Sequence, residues 1–388
     1  MRALLVTIVT ACVACGSDPA ALEAGATRSL GMSDVSILAP LPTDPAVPVL
    51  AKLDSAAPTI LPVNLVISLA IAGEIGPRTG ELVTYDDFHI VAVRFDPCPR
   101  DHFAATCSED SDDGRLRLVL QPLYTYQDKI AAHDVALHAF FPLPAADMPA
   151  IVDELRALAA IQDVAIDAPL QVSPALIADP RGAYATRLRA LITKYARTDA
   201  LVQLTVVGQA KAITAFEWIF AGFEKTPHGW DTIRIPTLPP GESHRQNLRV
   251  GGGDTTYEMF PTVDFPGGMA TAMAGGVWAT ATDEERRYAL EALAETENPL
   301  RHDTNDMPCM GCHVTTFLMK KRAAQFGVDP TTLARRFPTT RNVGVDSFAD
   351  RDARVVRAFG WITSEPAISR RVANETANVL DELERRYP

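Results

Sequence analysis

From about residue 60 to 142, short hydrophobic runs alternate with turn-forming stretches. The runs at 65–69, 88–95, 116–120 and 135–141 predict strands. In the third, Arg115 and Arg117 interleave with Leu116 and Leu118, which gives one wet and one dry face, and Asp113-Gly114 marks a tight turn before it. The period then lengthens. Over about 146–160, Ile151, Leu155 and Leu158 share one helical stripe while Asp153, Glu154 and Arg156 face water; a second helix is expected over 184–195. The two-residue period returns at 201–207 and in Thr214, Phe216, Trp218 and Phe220. Beyond about 265 helical spacing dominates, at 283–296 and again at 366–387, where Ile368, Val372, Thr376, Val379, Leu383 and Tyr387 recur and Pro366 stands at a first helical position. The expected class is α+β: a β-rich, sandwich-like domain over 61–265, then a mainly helical domain over 266–388.

The first residues read differently. Met1-Arg2 is a short basic start, Ala3 to Thr10 are mostly apolar, and small residues precede Cys12 and Cys15. This resembles a bacterial lipoprotein signal over 1–15. Cys15, followed by Gly16-Ser17, is the expected lipidation site, and Cys12 the alternative. Residues 16–60 carry Pro40, Pro42, Pro45, Pro48 and Pro58, the composition of a tether. No later stretch holds the roughly 20 apolar residues that span a bilayer, so membrane attachment is expected through lipid alone. The protein is thus expected to be exported, facing the periplasm or the cell surface.

A formal net charge of −12 argues against nucleic acid or anionic lipid as a partner and is compatible with docking a basic redox protein. In an exported chain Cys98 and Cys107, in one loop between strands, are expected to form a disulfide. Cys309 and Cys312 then remain for other chemistry.

Cys309-Met310-Gly311-Cys312-His313 is a C-x-x-C-H run. Two thiols on one turn of chain are spaced to add to two haem vinyl groups, and the histidine beside them is placed to ligate the iron. The motif and its expected helical surroundings are similar to mono-haem c-type cytochromes, so the domain over 266–388 is expected to be cytochrome c-like. The chain also resembles bacterial lipoproteins with a single such motif near the C-terminus, preceded by an Asn-Pro and a His, here Asn298-Pro299 and His302. The cytochrome resemblance implies one covalent haem c, thioether links at Cys309 and Cys312, and proximal ligation by His313. It supplies no sixth ligand. Met319, six residues past His313, belongs to the same haem face, so an upstream donor is needed. His302 is the first choice, oriented by Asp303 or Asp306; Met307 is the alternative; Met259, Met269 and Met273 come third.

The expected function is electron transfer, with an unidentified redox protein of the cell envelope as partner. Two other classes stay open. With no sixth ligand, an open iron would suit a peroxidase-like or gas-binding protein. Without haem, Cys309 and Cys312 would form a disulfide, or a zinc clip with His313 and His302, in a binding or structural lipoprotein. Other motifs are weak. His133 and His138 point to opposite faces of one strand and read as structural. The loop Glu109 to Gly114 lacks a calcium-binding twelfth residue, and no hydrolase motif occurs.

Overall fold

The computed structural model describes residues 28–72, 83–97, 113–162, 164–209, 216–237, 241–251, 254–257, 267–302, 307, 309–344 and 357–388. The signal segment with Cys12 and Cys15, the pair Cys98 and Cys107, and Met259 lie outside the described residues, as does all but the end of the acidic loop.

The fold is α+β. Its strands are β1 (Ser36–Leu38), β2 (Phe88–Pro97), β3 (Gly114–Tyr126), β4 (Lys129–Ala132), β5 (Ala136–Leu143), β6 (Gln203–Gln209), β7 (Phe216–Thr226), β8 (Gly229–Thr232), β9 (Ile235–Thr237), β10 (Gly241–Ser243), β11 (Arg245–Gly251), β12 (Asp254–Tyr257), β13 (Phe359–Ile362) and β14 (Glu365–Ile368). Its helices are α1 (Met32–Val35), α2 (Val63–Ala72), α3 (Met148–Gln162), α4 (Pro174–Ala178), α5 (Ala183–Tyr195), α6 (Gly268–Met273), α7 (Gly275–Thr280), α8 (Asp283–Thr296), α9 (Cys309–Phe326) and α10 (Arg370–Arg386).

Among the described residues one antiparallel sheet dominates, in the order β1-β2-β3-β5-β6-β7-β11-β12, with β4 and β8 folded back on β3 and β7 as hairpin partners. It is a single sheet, not the expected sandwich. Its two faces differ in chemistry. Leu116, Leu118 and Leu120 of β3 pair in register with Phe141, Ala139 and Leu137 of β5, and all are buried on the dry face. On the other face Arg94 pairs with Arg117, Arg117 with Phe140, Val119 with His138, and His138 with Thr205.

Several expectations change. The run at 65–69 lies in helix α2: Leu65, Val66 and Leu69 are buried while Ile67 is exposed, a three-to-four spacing that a five-residue apolar run does not reveal. The expected tether over 16–60 is, from Leu30 onward, part of the core. Its prolines sit between short apolar pieces: Ile37 and Leu38 extend the sheet as β1, and Ala51 to Leu53 hydrogen-bond along β2, with Leu53, Leu50 and Ile37 all buried. Among the described residues one hydrophobic cluster takes in parts of both expected domains, from Leu30 to Leu383. Pro366 pairs with Trp361 in the β13–β14 hairpin, and α10 begins later, where the Ser369 hydroxyl accepts from the Val372 amide. The hairpin satisfies backbone groups before the chain turns into the helix.

The C-terminal helices are therefore fastened to the sheet. Ser36 of β1 and Thr376 of α10 share a 2.8 Å hydrogen bond, and the Trp361 indole donates to the Ala39 carbonyl at 3.0 Å. Gln121 of β3, fully buried, accepts from the Trp361 amide at 2.7 Å and donates to the Trp361 carbonyl at 2.9 Å. Helix α8 starts on a capping box between Thr282 and Glu285. No described helix is long and apolar enough to cross a membrane.

Candidate functional site

Helix α9 begins at Cys309 and runs to Phe326, in line with the helical surroundings expected at the motif. Its inner residues Val314, Leu318 and Ala323 join the core, and the Thr316 hydroxyl accepts from the Arg370 amide at 3.0 Å, setting α9 against the start of α10. This placement turns the motif toward the polar-lined face of the sheet.

Between that face, α9, α10 and β13 lies a cavity of about 400 Å³. Cys309 and His313 line it together with Met307, Val119, Phe140, Ile233, Ile235, Phe359 and His138. The His313 ring is 5.2 Å from that of Phe220 and 6.0 Å from that of His138, inclined to the latter by 49°. Cys309 is a free thiol, and burial pushes its pKa up to about 11. A redox-active dithiol needs the opposite, a thiolate favoured near neutral pH. The backbone of Cys312 is in α9; its side chain lies outside the described residues.

One wall is cationic. Arg94, Arg115, Arg117, Arg234 and Arg371 line the cavity with two carboxylates, Glu224 and Glu375. Arg94 reaches Glu375 at 2.7 Å and also pairs with Asp96, and Arg117 lies 3.4 Å from Asp96 and 3.8 Å from Glu375. Arg115 and Arg117 stand 5.3 and 5.2 Å from the centre of the Phe140 ring, a cation–π arrangement on a dry wall. Burial, then the neighbouring Arg94, pull the Arg117 pKa down to about 9. Glu375 goes the other way: burial opposes its charge, but Arg94, Arg371 and Arg117 outweigh it and hold its carboxyl far below the usual range. The wet face of β3 expected from Arg115 and Arg117 is therefore turned inward, onto a cavity.

The other sequence candidates are dispersed. His302 is buried with its Nε2 3.3 Å from Glu295 Oε1, its carbonyl accepts from Arg371 at 2.6 Å, and it is not among the residues lining the cavity. Met269 is buried beside the Thr296 hydroxyl, and Met273 is buried with its carbonyl toward Arg322; neither lines the cavity. Met319 opens onto a separate space shared with Glu297 and Arg370. Among the upstream methionines described, Met307 alone reaches the cavity of His313. Among the described residues no three His, Cys, Asp or Glu donors converge as a metal clip would require.

His138 is the residue that sequence reasoning passed over. The two histidines expected on opposite faces of one strand do not share one: His133 lies between β4 and β5 and stacks on Tyr124 at 4.1 Å, while His138, on β5, looks into the cavity. The available signal was the line Arg115, Arg117 and Val119 on one face of β3, beside His138 and Phe140 on the same face of β5. No protein-family model, curated protein or solved structure matches the chain, so no relative's function bears on the site.

Proposed function

We propose that this chain is an exported, lipid-anchored mono-haem protein of the c type that holds one covalent haem c between the sheet and α9 and passes electrons to a partner protein in the cell envelope. The observation that carries the reading is the position of the motif: Cys309 and His313, its first and last residues, line the same cavity. The walls suit a large apolar ring with acidic substituents. Val119, Phe140, Ile233 and Phe359 offer apolar surface, and five arginines face two carboxylates there. Arginine forks are suited to bind carboxylates such as the two a haem carries.

In this reading Cys309 and Cys312 hold the group through thioether links, His313 presents an imidazole nitrogen to the iron, and the aromatic and aliphatic walls keep water away. Bound haem supplies one-electron redox chemistry at a potential tuned by its axial ligands and their surroundings. The N-terminal resemblance to a lipoprotein signal supports export, and the net charge of −12 favours a basic partner.

The test is a pyridine haemochrome spectrum of the chain produced in a periplasm with cytochrome c maturation, beside a Cys309→Ala, Cys312→Ala variant. A spectrum of two thioether links, lost in the variant, supports the reading; a colourless wild-type protein refutes it.

A further inference from the structure

We propose that His138 is the sixth ligand, so that the iron of the haem proposed above is held between two imidazoles, one from β5 and one from α9. The inference rests on the haem reading and narrows it, because a six-coordinate iron with two imidazoles has no open position for peroxide or gas.

The first observation is distance. An imidazole nitrogen ligates a metal ion at about 2 Å, so two imidazoles on opposite sides of one ion have ring centres about 6 Å apart. The centres of His138 and His313 are 6.0 Å apart. Their 49° inclination is acceptable, since two axial rings need share only the axis through the metal and are free to turn about it.

The second is an orphaned donor. Nε2 of His138 is sealed from solvent and has no hydrogen-bond partner among the described residues. Buried polar atoms without partners are few in folded proteins, and each calls for a reason such as a missing ion.

The third is rigidity. His138 stands on an inner strand, flanked in register by Val119 of β3 and Thr205 of β6, both shorter side chains that leave the space above the sheet to the imidazole. A ligand on a paired central strand is held more firmly than one on a loop. Of the rival donors, His302 faces Glu295 and does not line the cavity, whereas Met307 does.

The experiment uses the matured, full-length haem protein. Ultraviolet–visible and electron paramagnetic resonance spectra are recorded for wild type, His138→Ala, His138→Met and Met307→Leu, each beside its pyridine haemochrome content. Expected are a low-spin wild type without a sulfur-to-iron charge-transfer band, a high-spin His138→Ala protein with unchanged covalent haem that added imidazole returns to low spin, and an unaltered Met307→Leu. His138→Met serves if the alanine variant accumulates poorly; it should gain the sulfur band and a higher potential. A His138→Ala or His138→Met protein that keeps its haem and an unchanged low-spin spectrum overturns the ligand assignment while leaving the haem reading intact, as does a high-spin Met307→Leu. A wild type that takes up no haem overturns both.

Discussion

The Glu375 carboxylate of α10 lies 2.7 Å from the Arg94 guanidinium of β2, and its second oxygen lies 2.7 Å from Arg371 one turn earlier on the same helix. One side chain thus couples the C-terminal helix to the sheet at the edge of the cavity, across 281 residues of sequence. All three groups are largely withdrawn from water, so the pairing is costly to break on one side only.

Glu375→Gln should therefore destabilise the protein by about 3 kcal/mol, the scale expected when one member of a buried ion pair is lost, read as a lower urea midpoint at pH 7. The loss should depend on pH. The folded carboxyl is held far below its ordinary value by Arg94, Arg371 and Arg117, against the effect of burial. Its stabilisation is full above the unfolded carboxyl pKa of about 4.3 and drains away as pH falls below it. The variant should show a shallower decline of stability between about pH 4.5 and 2.5; parallel curves would show that the coupling carries no such weight.

Glu297 should give the opposite sign. It is 8% exposed, and burial lifts its pKa to about 7 despite a hydrogen bond from Thr316 and the nearby Arg370 and Arg371. The folded chain then keeps a proton that the unfolded chain has released, so stability falls as pH rises from about 4.3 to 7. Glu297→Gln should flatten that window and gain about 2 to 3 kcal/mol over wild type at pH 8, measured by chemical denaturation at several pH values. A variant less stable than wild type at pH 8 would mean that the ionised carboxylate is tied down by its arginines.

Much of the sheet was legible because the two faces of its strands differ in chemistry. The alternation in β3 and the apolar stripes of α3 and α5 mark elements whose two sides meet different surroundings, and periodicity reports such contrast. It fails where the contrast is missing. The 65–69 run is too short to separate a helix turn from a buried strand, and the proline-rich segment hides buried pieces, such as Ile37-Leu38, whose pairing with β2 lies 50 or more residues away. The same limit applies at the site. The motif itself carries Cys309, Cys312 and His313, whereas His138 and the arginines become visible only once topology sets β2, β3 and β5 opposite α9. No local pattern holds that information.

Gly360 pairs with Ala367 in the β13–β14 hairpin at φ +141°, a conformation that side chains rarely adopt, and a Cβ there would clash with the Gln121 amide oxygen. That oxygen accepts from the Trp361 amide, so it has little freedom to retreat. Gly360→Ala should cost about 2 kcal/mol or more through strain and a disrupted hydrogen bond. Gln121→Leu should cost a similar amount, since it leaves the Trp361 amide and carbonyl buried without partners. Because both act on one contact, the double variant should lose clearly less than the sum, which thermal unfolding of the four proteins would reveal. Full additivity would separate the hairpin from Gln121.

Arg117 offers a test that separates stability from cofactor binding. Its guanidinium is buried beside two further arginines, and burial followed by Arg94 pulls its pKa down to about 9, so its surroundings oppose the charge. Arg94 still pairs with both Asp96 and Glu375 when Arg117 is replaced, so neither carboxylate is left unpaired, and burial no longer opposes a charge at this position. Arg117→Met should thus leave the haem-free protein within about 1 kcal/mol of wild type in urea. Haem content after maturation should fall, because one cation facing the acidic substituents of the ring is gone while Cys309, Cys312 and His313 remain. The two readouts part company only if Arg117 is there for an anion. A variant that unfolds readily without haem would instead mark the side chain as a structural partner of Asp96 and Glu375, and one that is stable and fully loaded would remove Arg117 from the site.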